Sequence, residues 1–334
     1  MAWKARRWIV KAWPAGSRHR RRNPNIEKRG RSQLRRSQTP AQLLSTGSGR
    51  STNVRFRSGT KNRHAVDVQS NPASSGASAT TGELAERLDE LDSVDLDQLD
   101  RAQLHDRVES KVILRTDDLP DAIDALAHDY VVLEHLGDRV QGYCNTYFDS
   151  AELRNYHEHH NQLGRRLKLR YRTYENSDLT YFEVKRNVAG RTIKERRRTQ
   201  RPDGALHRDD AAFFAERTGW DPDGVLPSLT VDYQRILLVN RDYSERVTID
   251  LDIRFQSDRG ATTVDGLAIC EFKQPRLDRR SPAMAAMNRR PQKFSKYCMG
   301  LASCDPSLRR NRFKKVFRSL DTLDLGPVAL EVAA

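Results

Sequence analysis

Long apolar runs, a glycine-rich phosphate loop and paired cysteines are all missing from this 334-residue chain, and each absence removes a class of function. No apolar stretch approaches the roughly 18 residues of a membrane-spanning helix; the longest, such as Ile236–Val239, have the length of a core strand. A direct membrane span is therefore not expected, and any membrane role would need a membrane-protein partner. The four cysteines, Cys144, Cys270, Cys298 and Cys304, are too few and too irregularly spaced for a disulfide framework or a zinc site, which fits a reducing, cytoplasmic setting. No glycine-rich loop runs into Lys-Ser or Lys-Thr, which argues against a P-loop kinase. Arg6-Arg7 lacks a following apolar stretch, which argues against a secretory or twin-arginine signal.

What is present is charge, unevenly spread. The chain carries a net charge of +14, yet residues 1–64 alone hold 18 Lys and Arg against one acid, Glu27. That segment contributes +17, so the remainder sums to 14 − 17 = −3. A nucleic-acid reading of the overall basicity thus rests on the tail, and nucleic acid is expected as a partner only through it. Residues 1–80, rich in Arg, Ser, Gly, Thr and Asn with almost no apolar periodicity, are expected to form a disordered basic tail. Residues 81–104 turn acidic, with leucines at 84, 88, 91, 96, 99 and 104, and read as a short amphipathic helical lead-in.

From about Arg107 the texture changes to alternation. Arg107, Glu109 and Lys111 share one face, and Val108 and Val112 the other. Lys168, Arg170 and Arg172 alternate with Leu167, Leu169 and Tyr171. Glu183 and Lys185 alternate with Phe182 and Val184, and Arg246, Thr248, Asp250 and Asp252 with Val247, Ile249, Leu251 and Ile253. Glu271 and Lys273 alternate with Cys270 and Phe272. A solvated antiparallel sheet gives the same pattern, but residues 165–198 hold 12 basic residues against four acids. Like charges facing each other across strands repel unless an anion lies between them, so a sheet enclosing a polyanion accounts for the density. Helices are expected at Leu119–His128, at about Asp209–Thr218, and from Ala283 to about Met299, covering an apolar exterior. The fold class is α+β, dominated by antiparallel strands. His157-Glu-His159-His160 is metal-like in composition but precedes Gly164 and reads as a polar hairpin connection.

An ordered series of short motifs carries a family resemblance: Arg107-Val-Glu109-Ser-Lys111, Tyr147-Phe148-Asp149, Lys168-Leu-Arg170-Tyr-Arg172, Tyr181-Phe-Glu183-Val-Lys185, Lys194, Tyr233-Gln-Arg235, Arg246-Val-Thr-Ile-Asp250, Glu271-Phe-Lys273 and Lys293-Phe-Ser295-Lys296-Tyr297. Together they resemble the catalytic domain of the vacuolar transporter chaperone (VTC) polyphosphate polymerases, within the triphosphate tunnel metalloenzymes. The resemblance spans about 105–302, leaving 303–334 as a C-terminal tail. It implies an antiparallel β-barrel tunnel flanked by a few helices. It also implies a transferase that takes the γ-phosphoryl group of ATP, extends linear polyphosphate, and uses manganese (Mn2+) or magnesium (Mg2+). The triphosphatase and cyclase-like branch opens with Glu-x-Glu-x-Lys; Arg107 stands at the first acidic position here, which favours the polymerase branch and removes one acidic ligand. A short-chain hydrolase and a non-catalytic polyphosphate-binding module stay open as alternatives.

Phosphoryl transfer needs in-line positioning and cancellation of charge, which Arg supplies as a bidentate fork and Lys as a movable point charge. The phosphate-binding set is Lys111, Lys168, Arg170, Arg172, Lys185, Lys194, Arg235, Arg246, Lys273, Lys293 and Ser295. Lys296, Arg170 and Arg172 are assigned to catalysis, Lys296 by resemblance to a family lysine near the transfer point. Glu271 is the first metal ligand by resemblance, followed by Glu109 and Glu183, for which pairing with a same-face lysine is the competing role. Asp250 and Asp252 divide between metal, pairing and exposure.

Overall fold

In the computed structural model, residues 75–99, 107–188, 191–293, 295–323, 325 and 329–331 are described. Of the disordered tail expected at 1–80, residues 1–74 lie outside them, as does the lead-in residue Leu104; residues 75–80 are instead the first turns of a helix that runs on into the lead-in. The chain divides after Gln69, and the described residues belong to the unit that begins at Ser70.

In chain order the elements are α1 (Ser75–Asp89), β1 (Ser93–Val94), α2 (Leu96–Leu99), β2 (Val108–Arg115), α3 (Leu119–Asp124), β3 (Tyr130–Leu133), β4 (Val140–Ser150), α4 (Arg154–His160), β5 (Arg165–Tyr174) and β6 (Leu179–Val188). They continue with β7 (Arg191–Thr199), α5 (Arg208–Thr218), β8 (Val225–Asn240), β9 (Arg246–Ser257), β10 (Gly260–Val264), β11 (Leu267–Gln274), α6 (Pro282–Met287), α7 (Lys296–Cys304), α8 (Lys314–Asp321) and β12 (Ala329–Glu331). The fold is α+β, as the alternation predicts.

Eight strands pair antiparallel in the order β2-β11-β9-β8-β4-β5-β6-β7. No backbone pairing joins β2 to β7 among the described residues, so the expected barrel is not closed by hydrogen bonds. The sheet nevertheless wraps far enough for Lys185 of β6 to reach Glu109 of β2 at 3.8 Å. Backbone pairing of those edges would set the cations of β2 against those of β7, an arrangement that costs energy without an anion between them.

The inside-out burial that positions the site follows from the alternation. Leu167, Leu169 and Tyr171 of β5 and Phe182 and Val184 of β6 are buried with Phe214 of α5 on the outer face. Their charged neighbours are left to the concave face. The lead-in leucines Leu84, Leu88 and Leu91 pack with α3 and α6 on the far flank, whereas Leu96 is exposed. A third cluster joins α7 and Tyr156 of α4 to β8, β9 and β11, and the tail expected after 303 contributes α8 to it through Phe317 and Leu320.

Two helical expectations change. The predicted Ala283–Met299 helix is two helices, because Asn288 ends α6 in a left-handed conformation (φ 42°) and Pro291 follows. Ser295 then caps α7 by accepting the Cys298 backbone N–H. The connection expected around His157–His160 is instead the helix α4, held by the buried Asp149 carboxylate. Asp149 accepts the backbone N–H groups of Asn155 and Tyr156 at 2.8 and 3.0 Å and the Tyr297 hydroxyl, tying α4 and α7 to β4.

Candidate functional site

The concave face encloses a cavity of about 190 Å³. Ten basic side chains line it: Arg107, Lys111, Lys168, Arg170, Arg172, Lys185, Lys194, Arg235, Lys273 and Lys296. Three carboxylates, Glu109, Glu183 and Glu271, join them with Tyr147, Tyr233 and Ser295, leaving a formal excess of seven positive charges on the lining.

Strand register explains the concentration. Lys185 lies opposite Lys168 on one side and Lys194 on the other, and Arg170 lies opposite Glu183, so three strands contribute adjacent rows of one ladder. Glu183, buried, bridges the rows: Oε2 accepts from Arg170 at 2.8 and 2.6 Å, and Oε1 lies 2.6 Å from Lys194 Nζ. Burial alone would raise its pKa, but Arg170, Arg172 and Lys194 outweigh burial and hold it well below the usual range.

The opposite wall repeats this logic. Glu271 pairs with Lys111 at 2.7 Å and Lys273 at 3.3 Å, which overcome the effect of burial and keep it ionised. Asp250, behind the wall, takes the Arg235 fork at 2.5 and 2.8 Å and the Lys296 ammonium, which together offset burial and bring its pKa down to about 2. Glu109, at the rim, pairs with Arg107 at 3.3 Å.

Cations outnumber these partners, and burial shows in the lysines. Lys168, donating to Ser295 Oγ at 3.0 Å, is lowered to about 8 by burial, with Lys185 and Lys111 adding to it. Lys194 is lowered to about 7, chiefly by burial and further by Arg172 and Arg170, against the pull of Glu183. Burial and like charge thus favour the neutral forms of these two lysines.

The structure therefore brings together on one lining Lys111, Lys168, Arg170, Arg172, Lys185, Lys194, Arg235, Lys273, Ser295, Lys296, Glu109, Glu183 and Glu271. Lys293 lines the neighbouring cavity instead. Arg246 is not on the lining; its guanidinium donates to the Leu99 carbonyl at 3.0 Å. Asp252 adopts a positive φ of 50°, which turns it out of the strand's inner face, and it is exposed.

Two tyrosines on the lining were quoted in motifs but given no role from sequence. Tyr147 accepts from Arg170 at 2.8 Å, and Tyr233 lies 3.4 Å from Arg172 and stacks on Tyr143 with centroids 5.2 Å apart. Arg172 also donates to Asn145 at 2.9 Å. The available signal was spacing: Tyr233 stands two residues from Arg235 and therefore shares its face.

The VTC domain model matches residues 106–304, more than half of the chain. No curated protein matches it. Among solved structures, a Vibrio parahaemolyticus protein classed as an adenylate cyclase is 12% identical, with 58% of this chain and 84% of that one covered at a TM-score of 0.31. A Hippeastrum protein classed as an adenylyl cyclase and described by a dominant triphosphatase activity is 11% identical, with coverages of 68% and 91% and a TM-score of 0.29. A Pyrococcus horikoshii protein is 11% identical, with coverages of 55% and 86% and a TM-score of 0.30. The ordered motifs, the basic cavity that they line and the match across 106–304 converge: this chain belongs to the VTC domain family.

Proposed function

We propose that the chain is a polyphosphate polymerase that transfers the γ-phosphoryl group of ATP onto a growing linear polyphosphate. The observation that carries the reading is the excess of seven positive charges around a cavity only about 190 Å³ in volume. A linear phosphate chain suits a cation-rich lining, on which Arg170, Arg172 and Arg235 present guanidinium groups as donors to its oxygens. VTC membership ties the chain to polyphosphate chemistry at the level of the family.

In this reading a terminal phosphate oxygen of the growing chain attacks the γ-phosphorus of ATP, the bond from that phosphorus to the β–γ bridging oxygen breaks, and ADP leaves. The attacking oxygen is already anionic, so no general base is required. Lys168, Arg170 and Arg172 stabilise charge on the transferring group, which is how a preorganised site lowers the barrier. Lys296 is fixed at the first turn of α7 by its Asp250 pair and by the Ser295 cap. Tyr147 and Glu183 fix the orientation of Arg170.

Among the described residues Glu271, Glu109 and Glu183 do not gather into a three-ligand group, but each offers hard carboxylate oxygens on the proposed phosphate site, where one or two carboxylates suffice for Mg2+ or Mn2+. Glu271 is the first candidate to hold it, exchanging lysine contacts for metal, and the ion would neutralise charge on the phosphates. The test is incubation of the purified protein with ATP and Mn2+, followed by a polyphosphate gel. A ladder of chains lost in Glu271→Ala supports the polymerase; ADP and free phosphate without chains would make it a hydrolase, and binding without turnover would make it a sensor.

A further inference from the structure

Beyond the cavity, the ten residues 309–318 carry Arg309, Arg310, Arg312, Lys314, Lys315 and Arg318, and all six are exposed. Their apolar neighbours account for the fold of this segment: Val316 is buried, and Phe313 and Phe317 pack on the core. Nothing of that kind accounts for the cations. Among the described residues no ion pair joins any of the six to a carboxylate; Arg310 lies over the Phe317 ring at 5.6 Å. Lys314 and Arg318 stand four residues apart on one helix, where like charges repel.

The position of this face supplies the reason. A second cavity, of about 380 Å³, shares Glu109, Lys111, Lys168, Lys185 and Ser295 with the central one, so it is the central cavity's mouth on that side. Arg312, Phe313 and Val316 form part of its wall, so the basic face of α8 begins where the mouth ends. The cavity that shares Tyr233 at the other side is different in kind, with Glu175, Asp232 and Asp252 and no Lys or Arg on its lining. A polyanion is repelled on that side and drawn on along α8 on this one.

We propose that the exposed basic face of α8, with Arg312 at its start, is an external track for the part of a linear phosphate chain that extends beyond the tunnel. The proposal rests on the reading of the cavity as a phosphate-chain site and adds a second, chain-length-dependent binding surface to it. Short chains satisfy the cavity alone, and long chains gain further contacts outside.

The experiment compares the full chain with its K314Q/K315Q/R318Q variant, titrating each with tripolyphosphate and with a chain of several tens of phosphates across a range of salt. All three positions are exposed, and a matched thermal melt verifies folding. Wild type is expected to hold the long chain more tightly than tripolyphosphate. The variant is expected to lose about tenfold in long-chain affinity and on the order of 2 in the slope of log K against log salt, three lost phosphate contacts, with tripolyphosphate affinity nearly unchanged. Long-chain affinity and salt slope retained in the variant would overturn the track. Loss of binding to phosphatidylserine vesicles without loss of long-chain affinity would also overturn it, assigning the face to a membrane surface. Failure of wild type to bind tripolyphosphate at all would instead remove the reading of the cavity.

Discussion

Glu183→Gln separates two roles for the most enclosed carboxylate of the cavity, an internal counterion or a metal ligand. Glu183 is 2% exposed and meets both Arg170 and Lys194 at 2.6 Å. Neutralising it leaves those cations facing Lys168, Lys185 and Arg172 with no compensation, and breaking a buried ion pair costs about 3–5 kcal/mol. For a folded unit of this size that corresponds to a fall in Tm of roughly 6–20 °C. The phosphate ligand should restore what the carboxylate supplied. Removing one negative charge within several ångströms of the bound phosphates strengthens their attraction by roughly 1–2 kcal/mol once the freed cations relax, so metal-free tripolyphosphate should bind about tenfold tighter. The assay is thermal unfolding with and without tripolyphosphate in chelator-treated buffer, together with titration of both proteins. The ligand-induced rise in Tm, which follows RT ln(1 + [L]/Kd), should be larger in the variant than in wild type. Unchanged stability, or weaker metal-free binding in the variant, would refute the counterion role.

Glu271→Ala should abolish metal-dependent turnover while metal-free phosphate-chain binding persists, checked by gel assay and titration; equal loss of both would remove Glu271 as a metal ligand. Ligand binding should also take up protons. Lys194 at about 7 and Lys168 at about 8 are largely neutral at pH 8.5 in the free protein, and phosphate oxygens favour their charged forms, so affinity should fall as pH rises through that window. Calorimetry at pH 8.5 in buffers of different ionisation enthalpy reads the uptake, and binding that releases or ignores protons would count against these two lysines. Gly300→Ala places a Cβ 2.4 Å from Phe255 and 2.7 Å from Leu229, so α7 must shift on the sheet. The expected outcome is about 1–3 kcal/mol of lost stability together with reduced activity, because α7 carries Ser295 and Lys296, measured by urea unfolding and initial rates. Arg170→Ala should weaken phosphate-chain binding steeply, since charge-assisted contacts of about 1.5–3 kcal/mol each are at stake; unchanged affinity would place Arg170 outside the binding path.

The alternation of charged and apolar residues in β5, β6 and β11 was enough to assign those strands and to separate their two faces, because side chains alternate strictly along a strand. It could not decide which face is enclosed. A charged face in solvent and one lining a cavity read alike, and only the packing of α5 on Phe182 and Val184 settles the choice. The ordered motifs named the family and most of the lining, since the same residue types recur at the same strand positions. Lys293 and Arg246 escape that logic. One lies in the connection between α6 and α7, and the other opens β9, where the Leu99 carbonyl captures its guanidinium. The role of Asp250 depends on the meeting of β8, β9 and α7, a distance of 46 residues from Lys296 along the chain. The amphipathic α8 went unread because its few apolar residues mean little until the core they pack against exists. Sequence alone determined strand identity, charge density and family, which are local or ordered properties of the chain. Which carboxylates pair with which cations, the unclosed edge between β2 and β7, and the two unlike ends of the cavity were decided only by the tertiary structure, because they depend on which strands and helices come to lie side by side.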